Sequence, residues 1–163
     1  MTTTRMLVLV VIAAAIYIVA TGSALPDPVA SHFGAGGHAD GAMTRNAYLA
    51  LMLGICCVLP FAIVLPMRLV GRVPEAFLSL PNKHYWLAPE RAAATRAWLA
   101  DQGAGFGILL CVFLCYTHTL LVRAHATSPP HLDERLMIGG LAAFGALLAV
   151  WLARFMLHFR VPR

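Results

Sequence analysis

Four long segments of this chain contain no Lys, Arg, Asp or Glu, and this feature constrains the fold most. A helix needs about 20 mostly apolar residues to cross the core of a bilayer, where it satisfies its own backbone hydrogen bonds. Only 12% of the 163 residues are charged, against about 25% in soluble domains. We therefore predict an all-α integral membrane protein with four transmembrane helices embedded in the lipid bilayer. The segments are Met6–Pro26, Asn46–Met67, Gln102–Val122 and Leu136–Ala153.

The distribution of Lys and Arg predicts the orientation of these helices. With the N-terminus in the cytoplasm, nine of the 12 basic residues lie in cytoplasmic segments, as the positive-inside rule requires. We expect both termini and residues 68–102 in the cytoplasm of a bacterial cell, and loops 25–45 and 124–135 outside its inner membrane. The first helix also has features of a cleaved signal peptide, because Arg5 precedes it and the small residues 22–24 follow it. Its apolar stretch is long, which favours a retained helix.

The length of the chain fits a single domain, residues 1–163, with three parts. Residues 1–67 form a two-helix half that carries the outer loop 25–45. Residues 68–102 form a cytoplasmic segment, and residues 103–163 form a second helix pair. The Ala-rich stretch 89–102 begins with Pro and predicts a short cytoplasmic interfacial helix. Gly103 and Gly105 are expected to separate that helix from the third transmembrane helix.

The outer loop carries a pattern of residues in a fixed order. The pattern consists of Leu25-Pro26, Val29, His32-Phe33, Gly37 and Asp40-Gly41. It resembles the bacterial membrane protein family catalogued as domain of unknown function 1648, in which L-P-x-x-[VI]-x-x-H-[FW] precedes G-x-x-D-G and often a Lys, here replaced by Arg45. The resemblance covers residues 8–55, and Leu80–Leu87 is similar to a second segment of these proteins. Some relatives are immunity or signalling proteins that protect sporulating bacilli from their own toxin, which implies a non-enzymatic membrane protein.

The polar side chains of this loop allow three interpretations. His32, Asp40 and Arg45 are candidates for binding a peptide or protein partner at the outer face, which is the recognition, immunity or signalling function that we favour. His32 and His38 can instead bind zinc or copper, with a carboxylate as a further ligand. In the structural interpretation, Asp40-Gly41 forms a tight turn and His32 packs at the level of the lipid headgroups.

The third transmembrane segment carries a second group of polar and sulfur side chains. Cys111, Cys115, His118 and His125 are spaced so that they fall on one helix face. An ionisable residue inside the membrane indicates a functional site, and soft metals accept Cys and His ligands. The alternative function is therefore a metal-binding or metal-dependent membrane protein. Its candidate ligands are His32, His38, Cys115 and His118. In the simpler interpretation, His118 bonds to a neighbouring helix and the cysteines pack as small apolar side chains, so that no cofactor is needed.

A polar and aromatic stretch follows the second helix on the predicted cytoplasmic side. Asn82, Tyr85 and Trp86 are candidates for docking a partner or a lipid headgroup. The alternative is an interfacial anchor, because Tyr and Trp favour the headgroup level. His158 is expected on the cytoplasmic surface.

Other classes of partner and activity have little support in the sequence. The basic residues are not clustered with aromatic residues, so nucleic acid is not expected. Neither a G-x-S-x-G nor an H-E-x-x-H pattern occurs, and we do not expect an enzyme. Small residues in the fourth segment allow close helix packing, so a homo-oligomer remains open.

Overall fold

The computed structural model describes residues 2–69 and 80–160, apart from the side chain of Arg68. The elements are α1 (Thr3–Gly22), β1 (Val29–Phe33), β2 (Ala39–Met43), α2 (Arg45–Leu69), α3 (Lys83–Trp86), α4 (Pro89–Ala124) and α5 (Glu134–His158). Helices α1, α2, α4 and α5 are each long and apolar enough to cross a membrane. The prediction of a helical, multi-pass membrane protein is therefore confirmed.

Helices α1, α2 and α4 pack against one another and form the core, which we call the three-helix bundle. The buried residues of α1 recur every three or four positions, so they share one face of the helix. This face packs against buried residues of the other two helices. The cluster consists of Leu7, Val11, Ala14, Ile18, Cys56, Val64, Ala104 and Cys111. The buried residues follow the helical repeat because α1 buries only one narrow face. Its other faces are apolar and suit contact with lipid.

Helix α4 runs without a break from Pro89 to Ala124 over 36 residues. The predicted separation of an interfacial helix at Gly103 and Gly105 is therefore wrong. A Cβ at Gly103 would lie 2.7 Å from the Met67 sulfur, so this glycine allows close helix packing instead of ending the helix. At about 1.5 Å per residue, α4 is about 54 Å long. It is longer than the hydrocarbon core of about 30 Å, so part of the helix extends beyond it.

Helix α5 lies along α4 at the edge of the bundle. None of its residues is buried. Phe144 of α5 stacks on Phe113 of α4 with ring centroids 4.4 Å apart, and Phe159, directly after α5, is fully buried. The fourth transmembrane helix is thus attached mainly through aromatic side chains of α4 and through its two ends.

A β-hairpin, which the sequence analysis did not predict, connects α1 to α2. Its antiparallel strands β1 and β2 pair Val29 with Met43 and Phe33 with Ala39. The turn uses Gly36 and Gly37, with φ values of 81° and 73°, a backbone region that favours glycine. The tight turn expected at Asp40-Gly41 is not present, because both residues lie within β2. We call this part of the molecule, with the adjoining helix ends and residues 125–133, the hairpin end.

Candidate functional site at the hairpin end

Arg45, predicted to bind a ligand, holds the end of α1. Its guanidinium Nη1 donates to the carbonyls of Ser23 at 3.3 Å and Leu25 at 3.0 Å. Its backbone N–H donates to the Asp27 carboxylate at 3.3 Å. A cation near a helix C-terminus is favourable because the last carbonyls carry partial negative charge. Arg45 therefore positions the segment that leads into the hairpin.

His32 and Asp40 face each other across the hairpin. The Nδ1 of His32 donates to a carboxylate oxygen of Asp40, and the two side chains are 76% and 52% exposed. The structure thus brings together two of the three residues of the predicted ligand site. The pair is open to solvent and to a binding partner.

The hairpin turn is attached to the connection between α4 and α5. The Leu132 N–H donates to the Gly37 carbonyl at 2.9 Å, and the Gly36 N–H donates to the Glu134 carboxylate. The ring centroids of His38 and His131 lie 5.2 Å apart in an edge-to-face arrangement. Since a Cβ at Gly37 would overlap the Leu132 carbonyl, only glycine allows this close approach.

His118 is almost fully buried, with 1% of its surface exposed, and bonds to two other helices. Its Nε2 lies 2.8 Å from the Thr21 hydroxyl of α1, and its Nδ1 lies 2.6 Å from the Tyr48 hydroxyl of α2. The Thr21 hydroxyl donates its one hydrogen to the Tyr17 carbonyl, so it accepts from His118 Nε2–H. Burial favours the neutral ring, so Nδ1 accepts from the Tyr48 hydroxyl.

A second polar contact between α1 and α4 extends this network. The Thr119 hydroxyl donates to the Cys115 carbonyl at 2.7 Å, so it accepts the hydrogen of the Tyr17 hydroxyl at 2.8 Å. Tyr17 also meets the His118 ring edge-to-face. Side chains of α1, α2 and α4 therefore form one connected polar group inside an apolar bundle.

His125 has a role that the sequence analysis did not assign. Its Nδ1 donates to the Leu121 carbonyl at 2.9 Å, and its Nε2 accepts the Ala30 N–H at 3.0 Å. The ring thus joins strand β1 to the last turn of α4. The spacing from His118 placed His125 on the same helix face, but no sequence signal indicates a bond to Ala30, which lies 95 positions away.

A pocket of about 230 Å³ lies beneath the hairpin. Strand residues form one side of it, and α2, α4 and the start of α5 form the others. Its lining residues are Ser31, Phe33, Met43, Tyr48, Leu51, Met52, Thr117, His118, Leu121, Leu132 and Met137. Mostly apolar walls with a few polar groups are typical of ligand sites.

The candidate metal ligands lie in four separate surroundings. His32 bonds to Asp40, His38 contacts His131, and His118 bonds to Thr21 and Tyr48. Cys115 instead lies with Cys56 and Cys111, and the three sulfur atoms are all within 4.8 Å of one another. The sequence showed that Cys111 and Cys115 share a face but did not show that Cys56 lies opposite them.

The predicted docking residues lie at the other end of the molecule, where they hold the end of α5. The Asn82 side-chain amide and the Trp86 indole N–H donate to the Phe159 carbonyl at 2.9 and 3.2 Å. Arg91 lies over the Tyr85 ring at 4.1 Å.

His158, expected on the surface, lies at a partly exposed position with two aromatic partners. The imidazole stacks between two indoles, 3.7 Å from the ring centroid of Trp98 and 4.9 Å from that of Trp86. These stacking partners leave it only partly exposed.

The β-hairpin lies within a segment that matches a known sequence family. Residues 9–56 match the model of the family described as Domain of unknown function (DUF1648). The matched segment contains most of α1, the whole hairpin and α2 as far as Cys56. Comparison with curated proteins and with solved structures finds no match. Residues 9–56 of this chain therefore form a DUF1648 segment.

Proposed function

We propose that this protein is a non-enzymatic membrane protein that recognises an apolar or amphipathic peptide segment at the outer face of a bacterial inner membrane. The pocket beneath the hairpin is the observation that carries the proposal. The asymmetric distribution of Lys and Arg supports an outward-facing hairpin end and cytoplasmic termini. The outer-loop pattern resembles that of immunity and signalling proteins, and recognition of a secreted peptide suits both roles.

The composition of the pocket favours an apolar side chain as the bound group. Phe33, Met43, Met52 and Leu121 are among its apolar lining residues, while Ser31 supplies a hydroxyl. Methionine side chains are flexible and adapt to different apolar shapes. A volume of about 230 Å³ is below the roughly 300–1,000 Å³ of pockets for drug-sized ligands. It therefore suits one or two side chains of a longer segment.

The exposed His32–Asp40 pair supplies the polar part of this recognition. It lies on the hairpin whose Ser31 and Phe33 line the pocket. A peptide segment that inserts an apolar residue would place its backbone or a charged side chain near the pair. Arg45 acts indirectly, since its guanidinium is bonded to the end of α1.

The bonding of His118 supports a non-enzymatic role. Ser31 and His118 both line the pocket, and a serine with a histidine base is a common catalytic arrangement. Both nitrogens of His118 already have hydroxyl partners, Thr21 and Tyr48. The ring is therefore not available to remove a proton from Ser31.

The alternative, a metal site built from His32, His38 and His118, remains a prediction. No described contact joins these three side chains, so no specific observation favours that set.

Photo-crosslinking in living cells tests the proposal. A benzoylphenylalanine at Met43 faces the pocket, and the same group at the exposed neighbour Ala42 is the matched control. We expect a discrete peptide or protein adduct from position 43 that disappears when Met52→Trp fills the pocket. The cross-linked segment, made as a synthetic peptide, should bind the purified protein in nanodiscs and bind Met52→Trp at least about tenfold more weakly.

The orientation needs its own measurement. A membrane-impermeant maleimide applied to intact cells should label Ala42→Cys, with the unsubstituted protein as the baseline. Labelling only after cell lysis would contradict the outward-facing hairpin.

In the cross-linking experiment, adducts of equal yield from positions 42 and 43, or lipid adducts alone, would contradict the recognition of a peptide segment.

A further inference from the structure

We propose that Cys56, Cys111 and Cys115 form a binding site for a soft monovalent cation, Cu(I) in the cell, inside the three-helix bundle. The site goes beyond the proposed recognition function and does not rest on it. The three thiols belong to two helices that pack against each other, α2 and α4.

The geometry of the three sulfur atoms fits a single ion. All three lie within 4.8 Å of one another, and the Sγ atoms of Cys56 and Cys111 are 3.3 Å apart. Thiolate sulfur binds soft metals at about 2.3 Å, so three sulfurs around one ion lie about 4 Å apart. The Cys56–Cys111 distance is shorter than this value and the other two distances are below 4.8 Å, so small side-chain rotations are enough to form the site.

Pro60 interrupts the backbone hydrogen bonds of α2 next to the three cysteines. In a helix, the N–H four residues later would donate to the Cys56 carbonyl, but Pro60 has no N–H. Pro60 is fully buried within the bundle, where Gly107 of α4 makes room for its ring. The α2 backbone at Cys56 therefore lacks one of its regular helical hydrogen bonds.

The ligand set selects the type of ion. The group consists of three sulfur donors, and soft sulfur donors favour Cu(I), Zn(II) or iron–sulfur clusters. Structural zinc sites almost always use four ligands, whereas Cu(I) accepts two or three sulfurs. Cysteine binds a metal ion as the thiolate. Each coordinating thiol therefore releases its proton to the solvent, and the bound cation offsets thiolate charge, which is costly inside a membrane when it is uncompensated.

A path of soft ligands leads from the hairpin end to the thiols. Met52 lies one helical turn from Cys56 and lines the pocket beneath the hairpin. One turn corresponds to about 5.4 Å along the helix. Met43 and Met137 also line this pocket, and thioether sulfur is a soft ligand. An ion that enters at the hairpin end therefore meets sulfur ligands before it reaches the three cysteines.

The test is a titration of the purified full-length protein in nanodiscs with Cu(I), under reducing conditions and in competition with bicinchoninate. We expect one Cu(I) per chain, a copper–thiolate absorption band in the ultraviolet, and sulfur as the nearest scatterer in X-ray absorption. Cys56→Ala and Cys115→Ser should each weaken binding by more than the roughly 10–100-fold typical for loss of an outer-shell partner. Cys57→Ser is the matched control, because Cys57 adjoins Cys56 but lies outside the group.

Several outcomes would overturn the proposal. They are no Cu(I) bound in the presence of bicinchoninate, nitrogen as the main scatterer, and an equal loss of affinity in Cys57→Ser. Tighter binding of Zn(II) than of Cu(I) would overturn the assignment of a monovalent ion. The unfolding midpoint of each variant is measured without metal, and only variants that keep the wild-type midpoint are compared. If Cys56→Ala fails this criterion, the Cu(I) affinity of Cys115→Ser decides the test, because Cys115 lies at a partly exposed position.

Discussion

The three-helix bundle and α5 have similar composition but very different surroundings. The most apolar 18-residue windows of the four spanning helices have mean hydropathies between 2.0 and 2.6, and the value of 2.2 for α5 equals that for α1. In the most apolar windows of α1, α2 and α4, 28%, 28% and 22% of the residues are buried, against 0% in α5. Apolar composition thus makes a helix able to span a membrane but does not determine whether it becomes part of the core.

The extent of close contacts at glycine and of polar contacts distinguishes the two regions. A Cβ at Gly107 in α4 would lie 3.2 Å from Leu7 and 3.3 Å from Pro60. In α5, a Cβ at Gly140 would overlap the Tyr116 ring of α4, but no atom of the described residues lies within 4 Å of such an atom at Gly145. In lipid, close packing and interhelical hydrogen bonds replace the hydrophobic effect between helices. The bundle has both kinds of contact among three helices, whereas α5 makes them mainly with Tyr116 of α4.

Substitution of these two glycines should give the largest contrast. Gly107→Leu forces a side chain between α1, α2 and α4, and should lower the free energy of unfolding by about 3 kcal/mol or more. Gly145→Leu, in open space, should leave it within about 0.5 kcal/mol. Unfolding in mixed micelles with increasing SDS measures both. Equal losses would show that α5 packs as tightly as the bundle, and a change of oligomeric state in Gly145→Leu would place this face between two copies of the chain.

Removal of the buried imidazole should have the next largest effect. His118→Ala leaves the hydroxyls of Thr21 and Tyr48 without their partner and should cost about 1–3 kcal/mol. Thr117→Ala is the matched control, because the Thr117 hydroxyl donates to Leu114 within its own helix. The same SDS titration compares the two variants. A loss no greater in His118→Ala than in Thr117→Ala would mean that the polar network does not hold the bundle together.

The smallest effect is expected where α5 joins α4. The Tyr116 hydroxyl donates to the Leu136 carbonyl in the first turn of α5, and Tyr116→Phe removes this bond at a cost of about 1 kcal/mol. Amide hydrogen exchange should rise in the first turns of α5 and remain unchanged around Tyr48. Faster exchange throughout the bundle would contradict the view that α5 is attached separately.

Several features of the fold followed from the sequence, and others did not. The spanning helices were predictable because about 20 apolar residues without charge have few alternatives in a cell. The hairpin was not, because Ala, Asp and Gly in β2 are poor strand formers. Gly103 and Gly105 suggested a break since glycine disfavours helices in water, yet Gly103 packs against Met67 inside a continuous helix. The sequence does not distinguish these two uses of glycine.

The candidate site shows the same division. The sequence placed Cys111, Cys115 and His118 on one face, and the loop pattern identified His32 and Asp40. It indicated neither the role of Arg45 at the end of α1 nor the third cysteine, Cys56.

The sequence by itself determined a multi-pass helical membrane protein with a DUF1648 segment, because the lengths of its apolar segments and the order of its motif residues are local properties. Only the tertiary structure decided which helices form the core, where the pocket lies and which side chains meet. His118 meets a threonine 97 positions away, and Cys56 meets a cysteine 55 positions away. Such contacts depend on the packing of whole helices, since each residue alone is compatible with many partners.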